Sequence, residues 1–301
     1  MVAETSGGWV RIGELSRRVG VSDHVLRAWE RRYGLLDPVR TDAGYRLYSP
    51  QDERRVRRMR AHLAEGMSAA EAARAALREP DDVPAPTALT SPAPDSPPTP
   101  DEVARLRERI TLALETLDEP AAQEALDTLM ARLAVEDALR DVVLPYLHDL
   151  GDRWQQGEAS VAQEHFATQI VRGVLTTLAK GWGRGTGPRA LLACPPGERH
   201  DLALLAFGVV LARRGWSVRF LGADTPVASV AEAVERTRPD VVVLAATDPE
   251  RFIAVEDLLA DLSARLPVHL AGPGGTEAVA RRTSARLLTA DPVTAAQTLT
   301  V

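Results

Sequence analysis

Apolar positions in the first 78 residues recur mostly at intervals of three and four. In the segment 12–19, Ile12, Leu15 and Val19 fall on one face, as in an amphipathic helix. After Pro38 a short stretch alternates instead, which is typical of a hairpin. The predicted elements are helices over 12–19, from the Gly20 turn to about Tyr33, from Pro50 onward and over 68–78, with hairpin strands at 39–40 and 45–48. Two helices followed by a hairpin form the pattern of a winged helix-turn-helix.

A proline-rich segment separates this head from the rest of the chain. Residues 80–100 contain eight prolines among Ser, Thr, Ala and Asp, a composition that cannot bury a core and therefore predicts a spacer. Helical spacing returns from Asp101. The predicted helices are 102–117, 119–133, 135–156 and 160–181. Four helices joined by short loops favour an up-down four-helix bundle.

From Arg189 onward, short apolar runs alternate with helical segments. The predicted strands are 189–194, 216–221, 240–246, 267–271 and 286–288, and the predicted helices are 201–214, 227–237, 250–264 and 275–283. This alternation predicts a doubly wound parallel sheet of Rossmann-like type, with a ligand crevice at the carboxyl ends of its strands.

The whole chain is thus predicted to be a multidomain protein of the α plus α/β class. Its predicted segments are a winged helix-turn-helix domain 1–79, a linker 80–100, a four-helix bundle 101–183 and a Rossmann-like domain 187–301.

Composition adds a charge asymmetry to this picture. The net charge of −6 argues against a nucleic-acid partner, but residues 1–80 hold 15 arginines and 11 acidic residues, which leaves +4 on the head and −10 on the remainder. One cysteine excludes an internal disulfide framework and a cysteine-based zinc site. Without a long apolar run or a signal-peptide pattern, the chain is expected to be cytoplasmic and not bound to a membrane.

The head resembles the MerR family of transcription regulators. The matching stretches are Ile12-Gly13-Glu14-Leu15, Gly20-Val21-Ser22, residues 26–36 from Leu26 to Leu36, and Gly44-Tyr45-Arg46-Leu47-Tyr48-Ser49. The resemblance covers most of 10–78 and implies double-stranded promoter DNA as a partner and a dimer as the binding unit. Arginines on the second helix suit base edges or phosphates of the major groove, and hairpin residues suit flanking phosphates. The residues predicted to contact DNA are Arg27, Arg31, Arg32, Tyr33, Arg40, Tyr45, Arg46 and Tyr48.

The stretch with the most distinctive chemistry is the turn from Cys194 to Asp201. It follows a predicted strand and precedes a predicted helix, which places His200 at the mouth of the crevice. A neutral imidazole there can bind a metal, and a neighbouring carboxylate can fix its tautomer. The alternative is a solvated loop histidine paired with Glu198 or Asp201.

A helical bundle in front of this kind of sheet resembles the cobalamin-binding module of methionine synthase and its relatives. Glu198-x-His200 matches the start of their Asp/Glu-x-His-x-x-Gly motif. The resemblance implies that His200 binds cobalt from below, with Glu198 or Asp201 as its supporting carboxylate.

A second motif lies in the predicted bundle. Trp154, followed after nine residues by Glu164-His165, is similar to the Trp-x9-Glu-His motif of the CarH/LitR light-responsive regulators, where these residues cap the upper face of adenosylcobalamin. The alternative is a core aromatic and a surface pair. The residues predicted to bind the cofactor are Trp154, Glu164, His165, Glu198, His200, Asp201, Thr225, Thr247, Gly272 and Gly274, with His200 as the cobalt ligand.

Four positions depart from these patterns. Ala203 stands where the motif has Gly, Pro273 interrupts a Gly-Gly pair, and Ala245-Ala246-Thr247 replaces a Ser-x-Leu type stretch. Gln155 stands where light-sensing relatives carry a His, and Gln is a poor cobalt ligand. These departures put the nucleotide-tail contacts and the state after illumination in question.

Together these features predict a DNA-binding transcription regulator, a repressor by resemblance, controlled by adenosylcobalamin or another cobalamin and possessing no enzyme activity. The resemblance implies a homo-oligomer, a dimer or tetramer, that light disperses, and carotenoid or other photoprotective target genes. The alternative is a MerR-type regulator whose second half binds no cobalamin and serves as an interaction or dimerisation module. An enzyme such as a corrinoid methyl carrier is disfavoured because no substrate domain is present.

Overall fold

The computed structural model describes residues 9–21, 23–41, 45–65, 67–78 and 98–301. The predicted linker 80–100 falls outside the described residues up to position 97, and so does the hairpin turn 42–44. The chain forms two compact units, one within residues 1–138 and 160–167 and the other within 139–159 and 168–301.

The head has the predicted order of elements. Its helices are α1 (Ile12–Val19), α2 (Asp23–Tyr33), α3 (Pro50–Ala64) and α4 (Ala69–Arg78), and its antiparallel strands are β1 (Val39–Arg40) and β2 (Arg46–Leu47). Gly20 ends α1 in the left-handed conformation, with φ of 65°. A capping box of Ser49 and Asp52 starts α3. The core of the head contains Leu15, Val19, Leu26, Trp29, Tyr48, Val56 and Met59.

The region between head and sheet is helical, as expected for the predicted bundle. Its helices are α5 (Pro100–Glu115), α6 (Glu119–Arg132), α7 (Val135–Ala138), α8 (Leu144–Gln155) and α9 (Val161–Leu178). The predicted continuous helix 135–156 is instead α7, a π-helical segment Leu139–Val143 and α8. Asp118 caps α6 by accepting the backbone N–H of Ala121.

A five-stranded parallel sheet forms the centre of the second unit. Its strands are β3 (Arg189–Ala193), β4 (Ser217–Gly222), β5 (Val241–Ala245), β6 (Val268–Ala271) and β7 (Arg286–Leu288), in the spatial order β4-β3-β5-β6-β7. All neighbouring strands are parallel. The strand order reverses between β3 and β5, so the crevice expected for doubly wound sheets lies at their carboxyl ends.

Helices flank this sheet. They are α10 (Leu202–Arg213), α11 (Val227–Thr237), α12 (Pro249–Ile253), α13 (Glu256–Ser263), α14 (Glu277–Thr283) and α15 (Pro292–Thr298). The predicted helix 250–264 is two helices, α12 and α13, and α15 was not predicted. The core of this unit includes Leu191, Val230, Val242, Leu244, Phe252 and Leu270.

A 3-10 turn, Trp182–Arg184, precedes the sheet and lies against the edge strand β4. The carbonyl oxygen of Gly183 accepts a hydrogen bond from the Ser217 hydroxyl at 3.2 Å. The Trp182 ring lies close to Gly208, because a β-carbon built on Gly208 would come within 2.7 Å of that ring. The centroid of the Trp182 ring is 5.9 Å from the centroid of the Phe220 ring.

Across the described ranges, every helix is too short or too polar to cross a bilayer.

Candidate functional site

The turn after β3 is held by the turn after β4. The backbone N–H of Cys194 donates to the Gly222 carbonyl at 2.8 Å, and that of Asp224 donates to the Glu198 carbonyl at 2.8 Å. The Asp224 carboxylate in turn accepts the N–H of Gly197 at 2.6 Å. Gly197 has φ of 80°, a left-handed value that favours glycine. The loop that carries Glu198 and His200 is therefore fixed by backbone contacts.

A hydrogen-bonded network at the carboxyl ends of β3 and β5 joins Glu198 to His200 and Thr247. One oxygen of the Glu198 carboxylate lies 2.6 Å from Nδ1 of His200 and 2.8 Å from its backbone nitrogen. The other accepts the backbone N–H of Thr247 at 2.6 Å and its hydroxyl at 2.7 Å. Glu198 is buried, whereas 71% of the His200 side chain is exposed. A neutral imidazole that donates from Nδ1 to Glu198 carries its lone pair on Nε2.

The pKa of Glu198 is consistent with a carboxylate that accepts a hydrogen bond from His200. Burial alone would raise the pKa of its carboxyl, but hydrogen bonds from His200 and Thr247 outweigh burial and lower that pKa to about 2. Glu198 is therefore a carboxylate at neutral pH and can hold the His200 tautomer.

The exposed face of His200 borders a groove of about 480 Å³. The groove is lined by Gly197, Glu198, Arg199, His200, Asp224, Thr247, Asp248 and Arg251. Sequence reasoning singled out Glu198, His200 and Thr247 but not Asp224, Asp248 or Arg251. Asp224 and Asp248 were placed in loops that follow predicted strands, which was the available signal, whereas Arg251 lay within the predicted helix 250–264 and gave no such signal.

Asp201 does not support His200. Its carboxylate pairs with the guanidinium of Arg172 on α9, at 2.5 Å from Nη2 and 3.1 Å from Nη1. Asp201 is buried at the start of α10. Of the two predicted supporting carboxylates, the structure therefore selects Glu198, and Asp201 joins α9 to α10 instead.

The other predicted residues of the sheet domain lie in loops at the carboxyl edge. Thr225 is buried, and its backbone N–H donates to the Cys194 carbonyl at 2.9 Å. A β-carbon on Gly272 would lie 2.5 Å from the Ala246 carbonyl oxygen, and one on Gly274 would lie 2.7 Å from that of Asp248. These glycines therefore allow two loops to approach closely.

The residues predicted to cap the cofactor lie at helix ends. Trp154, on the last turn of α8, is 45% exposed, an unusual position for a large aromatic side chain. Glu164 and His165 lie in the first turn of α9, where Glu164 is half-buried and His165 is exposed. Gln155 is exposed as well. The core alternative for Trp154 is therefore wrong, whereas Nε2 of His165 lies 3.5 Å from the Glu164 carboxylate, as the surface-pair alternative predicts.

The predicted DNA-contacting residues fall into two groups. Arg27 and Arg31 are exposed on α2, and Arg40 and Tyr45 are exposed on the hairpin. The guanidinium of Arg11 lies 4.6 Å from the centroid of the Tyr45 ring. These positions leave the side chains accessible to a duplex.

The second group makes contacts within the protein. Arg46 pairs with Glu30 at 3.1 Å. Tyr48 corrects a prediction, because its ring is fully buried and its hydroxyl donates to Glu30 at 2.8 Å, so it supports the hairpin from inside. Arg32 pairs with Asp127, and Tyr33 is half-buried beside it, where burial and the charge of Asp127 raise the Tyr33 pKa.

Family models match three segments in the same order as these features. Residues 10–79 match the MerR HTH family regulatory protein model, and residues 106–179 and 188–295 match two B12 binding domain models. The fold and the site therefore define a class of protein in which a MerR-type helix-turn-helix head is joined to a B12 binding domain.

Whole-chain comparisons specify the family. The chain is 36% identical over 274 residues to the HTH-type transcriptional repressor CarA of Myxococcus xanthus, covering 89% of this chain and 88% of that protein. It is 34% identical over 257 residues to CarH of the same organism, covering 85% of each. The chain belongs to the family of these HTH-type transcriptional repressors.

A solved structure shares the fold of the C-terminal part. The monomethylamine corrinoid protein of Methanosarcina barkeri superposes with a TM-score of 0.54 at 16% identity, covering 64% of this chain and 94% of that one. This likeness concerns the fold alone.

Proposed function

We propose that this protein is a cytoplasmic transcriptional repressor that binds promoter DNA through its head and is controlled by adenosylcobalamin bound in its second half. The observation that carries the proposal is the exposed His200 imidazole, held by buried Glu198 beside a groove, in a chain that also has a MerR-type head. Membership in a family of transcriptional repressors supports the same conclusion.

The donor set fits a metal that arrives within a cofactor. In the part of the chain that the structure describes, no group of three or more His, Cys, Asp and Glu side chains is arranged to hold a bare metal ion. A single oriented imidazole instead suits cobalt that a corrin ring already coordinates. When bound, adenosylcobalamin supplies that cobalt and a light-sensitive cobalt–carbon bond.

Different residues of this chain would contact different parts of the cofactor. His200 would be the cobalt ligand through Nε2, with Glu198 and Thr247 fixing the imidazole. Exposed Trp154 offers an indole for packing against the adenosyl group, and Glu164 and His165 offer polar contacts nearby in sequence. We assign contacts of the nucleotide tail to the loops that carry Thr225, Gly272 and Gly274.

Two of the departures from the family motif, Ala203 and Pro273, lie outside the groove beside His200. Ala203 is exposed in the first turn of α10, and Pro273 is exposed in its loop. Neither residue lines the groove beside His200. Both side chains therefore leave the groove beside His200 open.

Control of DNA binding would follow from linkage. A cofactor changes DNA affinity only to the extent that it binds two states of the protein with different affinity. In the proposal those states differ in assembly: the loaded protein is a dimer or tetramer in the dark, and light disperses it.

The first test is an absorption spectrum. Purified full-length protein is mixed in the dark with adenosylcobalamin, desalted and then illuminated. We expect cobalamin bands that survive desalting and change with light. Retained bands that do not change on illumination would overturn the proposed light sensing. A colourless protein would overturn the proposed control by cobalamin and favour a cofactor-free interaction module.

The second test addresses the head. We expect Arg31→Ala to weaken binding to promoter duplexes about tenfold in a gel-shift assay, because an exposed arginine on α2 is lost. Arg17→Ala removes the same charge from α1, where the side chain is exposed and paired with Glu14, and serves as the control. Equal affinity of Arg31→Ala and wild type would contradict the assignment of α2 as the DNA-reading helix.

A further inference from the structure

One face of α6 contacts the end of α2 that carries the predicted DNA-binding side chains. The Arg32 guanidinium pairs with the carboxylate of Asp127 and donates through Nη2 to the side-chain oxygen of Gln123 at 2.8 Å. Asp127 is buried, with 7% of its side chain exposed, and the Arg32 side chain is 31% exposed. The Asp127 end of this ion pair is therefore buried, whereas the Arg32 end remains partly open to solvent.

The same face carries a second acidic residue. Glu124 lies one position after Gln123, and its charge acts on both Asp127 and Tyr33. Among the described residues, Oε1 of Glu124 is buried and has no hydrogen-bond partner. A buried carboxylate oxygen without a partner is costly.

The chemistry of this face imitates that of a DNA backbone. A guanidinium recognises phosphate through paired oxygen acceptors that carry negative charge. Asp127 and Gln123 present two oxygen acceptors to Arg32, and Glu124 adds negative charge beside Tyr33. An N–H that donates to Asp127 cannot donate to a phosphate at the same time.

We propose that this face of α6, formed by Gln123, Glu124 and Asp127, is an interaction surface for the chain's own recognition helix α2, and that it competes with duplex DNA for Arg32. DNA binding would then require release of α2 from α6. This inference rests on the proposed function, since it assumes that α2 binds DNA.

The competition has a defined effect on affinity. If only the fraction of molecules with α2 released can bind, the apparent Kd equals the intrinsic Kd divided by that fraction. Weakening the contact raises the fraction and tightens binding. A substitution on α6, which carries none of the predicted DNA-contacting residues, should therefore improve DNA affinity.

The experiment compares full-length variants by fluorescence anisotropy on a fluorescein-labelled 30-base-pair duplex of random sequence at low salt. We expect Asp127→Asn to bind about fivefold more tightly than wild type, and Gln123→Ala to bind about twofold more tightly. Glu119→Gln changes the charge of α6 equally at an exposed position in its first turn and should match wild type.

The outcomes separate this inference from the proposed function. Asp127→Asn that binds with wild-type or weaker affinity would overturn the competition while DNA binding stands. If neither wild type nor any variant binds the duplex, the proposed DNA binding is overturned and the competition with it. Tightening by Glu119→Gln to the same degree would reduce the effect to net charge and also overturn the competition. If circular dichroism shows that Asp127→Asn does not fold, the test rests on Gln123→Ala alone. In that case, a DNA affinity of Gln123→Ala equal to that of wild type would refute the competition.

Discussion

A histidine can present only one lone pair to a metal, and the residue that binds its other nitrogen decides which one. In this protein one oxygen of Glu198 is hydrogen-bonded to Nδ1 of His200, and the other oxygen of Glu198 accepts a hydrogen bond from the Thr247 hydroxyl. The carboxylate is thus satisfied on both sides, which fixes its position although it is buried. A change at Glu198 would therefore act on His200 as well as on the loop.

His200→Ala tests the residue at the end of this network. We expect cobalamin retention after desalting to fall at least tenfold, because the oriented imidazole at the groove is lost. Absorbance of the desalted protein measures this directly. His148→Ala, at a histidine with an 82% exposed side chain on α8, is the matched control. Equal retention in His200→Ala and wild type would remove His200 from the site.

The lowered pKa of Glu198 predicts a pH dependence of stability. Because the folded-state pKa of about 2 lies below the ordinary glutamate value of 4.5, Glu198 stabilises the fold above pH 4.5 and loses this contribution as the pH falls toward 2. The full difference corresponds to roughly 3 kcal/mol. We expect urea unfolding to show a stability gap between wild type and Glu198→Gln that narrows over this range. A gap that stays constant would contradict the lowered pKa.

The sequence predicted part of this site and could not predict the rest. Glu198 and His200 are two residues apart, so a local motif was enough to place them together. The contact of Glu198 with Thr247 spans 49 positions and depends on β3 and β5 being neighbours. The choice between Glu198 and Asp201 required Arg172, a residue on a different helix.

At the scale of elements, α9 is tied to α10 by the pair of Arg172 and Asp201. Removing Arg172 leaves a buried carboxylate without its cation, which is costly. We expect Arg172→Ala to lower the free energy of unfolding by about 2 kcal/mol, a value reduced because Arg172 is one-third exposed. Chemical denaturation measures the change.

Arg236→Ala is the control for that measurement. Its exposed pair with Glu232 lies on one face of α11, and its loss should cost less than about 0.5 kcal/mol. Equal losses in the two variants would show that the Arg172–Asp201 pair contributes no more than an ordinary surface pair.

Most elements were predicted because apolar spacing is a local property. The exceptions have local causes that periodicity does not report. A π-helical segment keeps helical composition, so Leu139–Val143 could not be distinguished from the surrounding helix. α15 was missed although Asp291 followed by Pro292 is a helix-start signal, since only seven residues follow before the helix ends.

In the whole molecule, the proposed function joins two binding events in one chain. Linkage requires that cobalamin and DNA change each other's affinity by the same factor. We expect adenosylcobalamin in the dark to tighten binding to a promoter duplex about tenfold, and the duplex to tighten cobalamin binding equally. Anisotropy and absorbance titrations measure the two sides. No change in either would mean that the halves bind independently.

The edges of the parallel sheet have a consequence for how this protein can aggregate. On one side β4 lies against the Trp182–Arg184 turn, and on the other side β7 has only three residues. Short or covered edge strands offer few unpaired backbone groups to a second chain. Fibres built by adding strand to strand at the edges of this sheet are therefore disfavoured, and self-association of this protein is expected to use other surfaces.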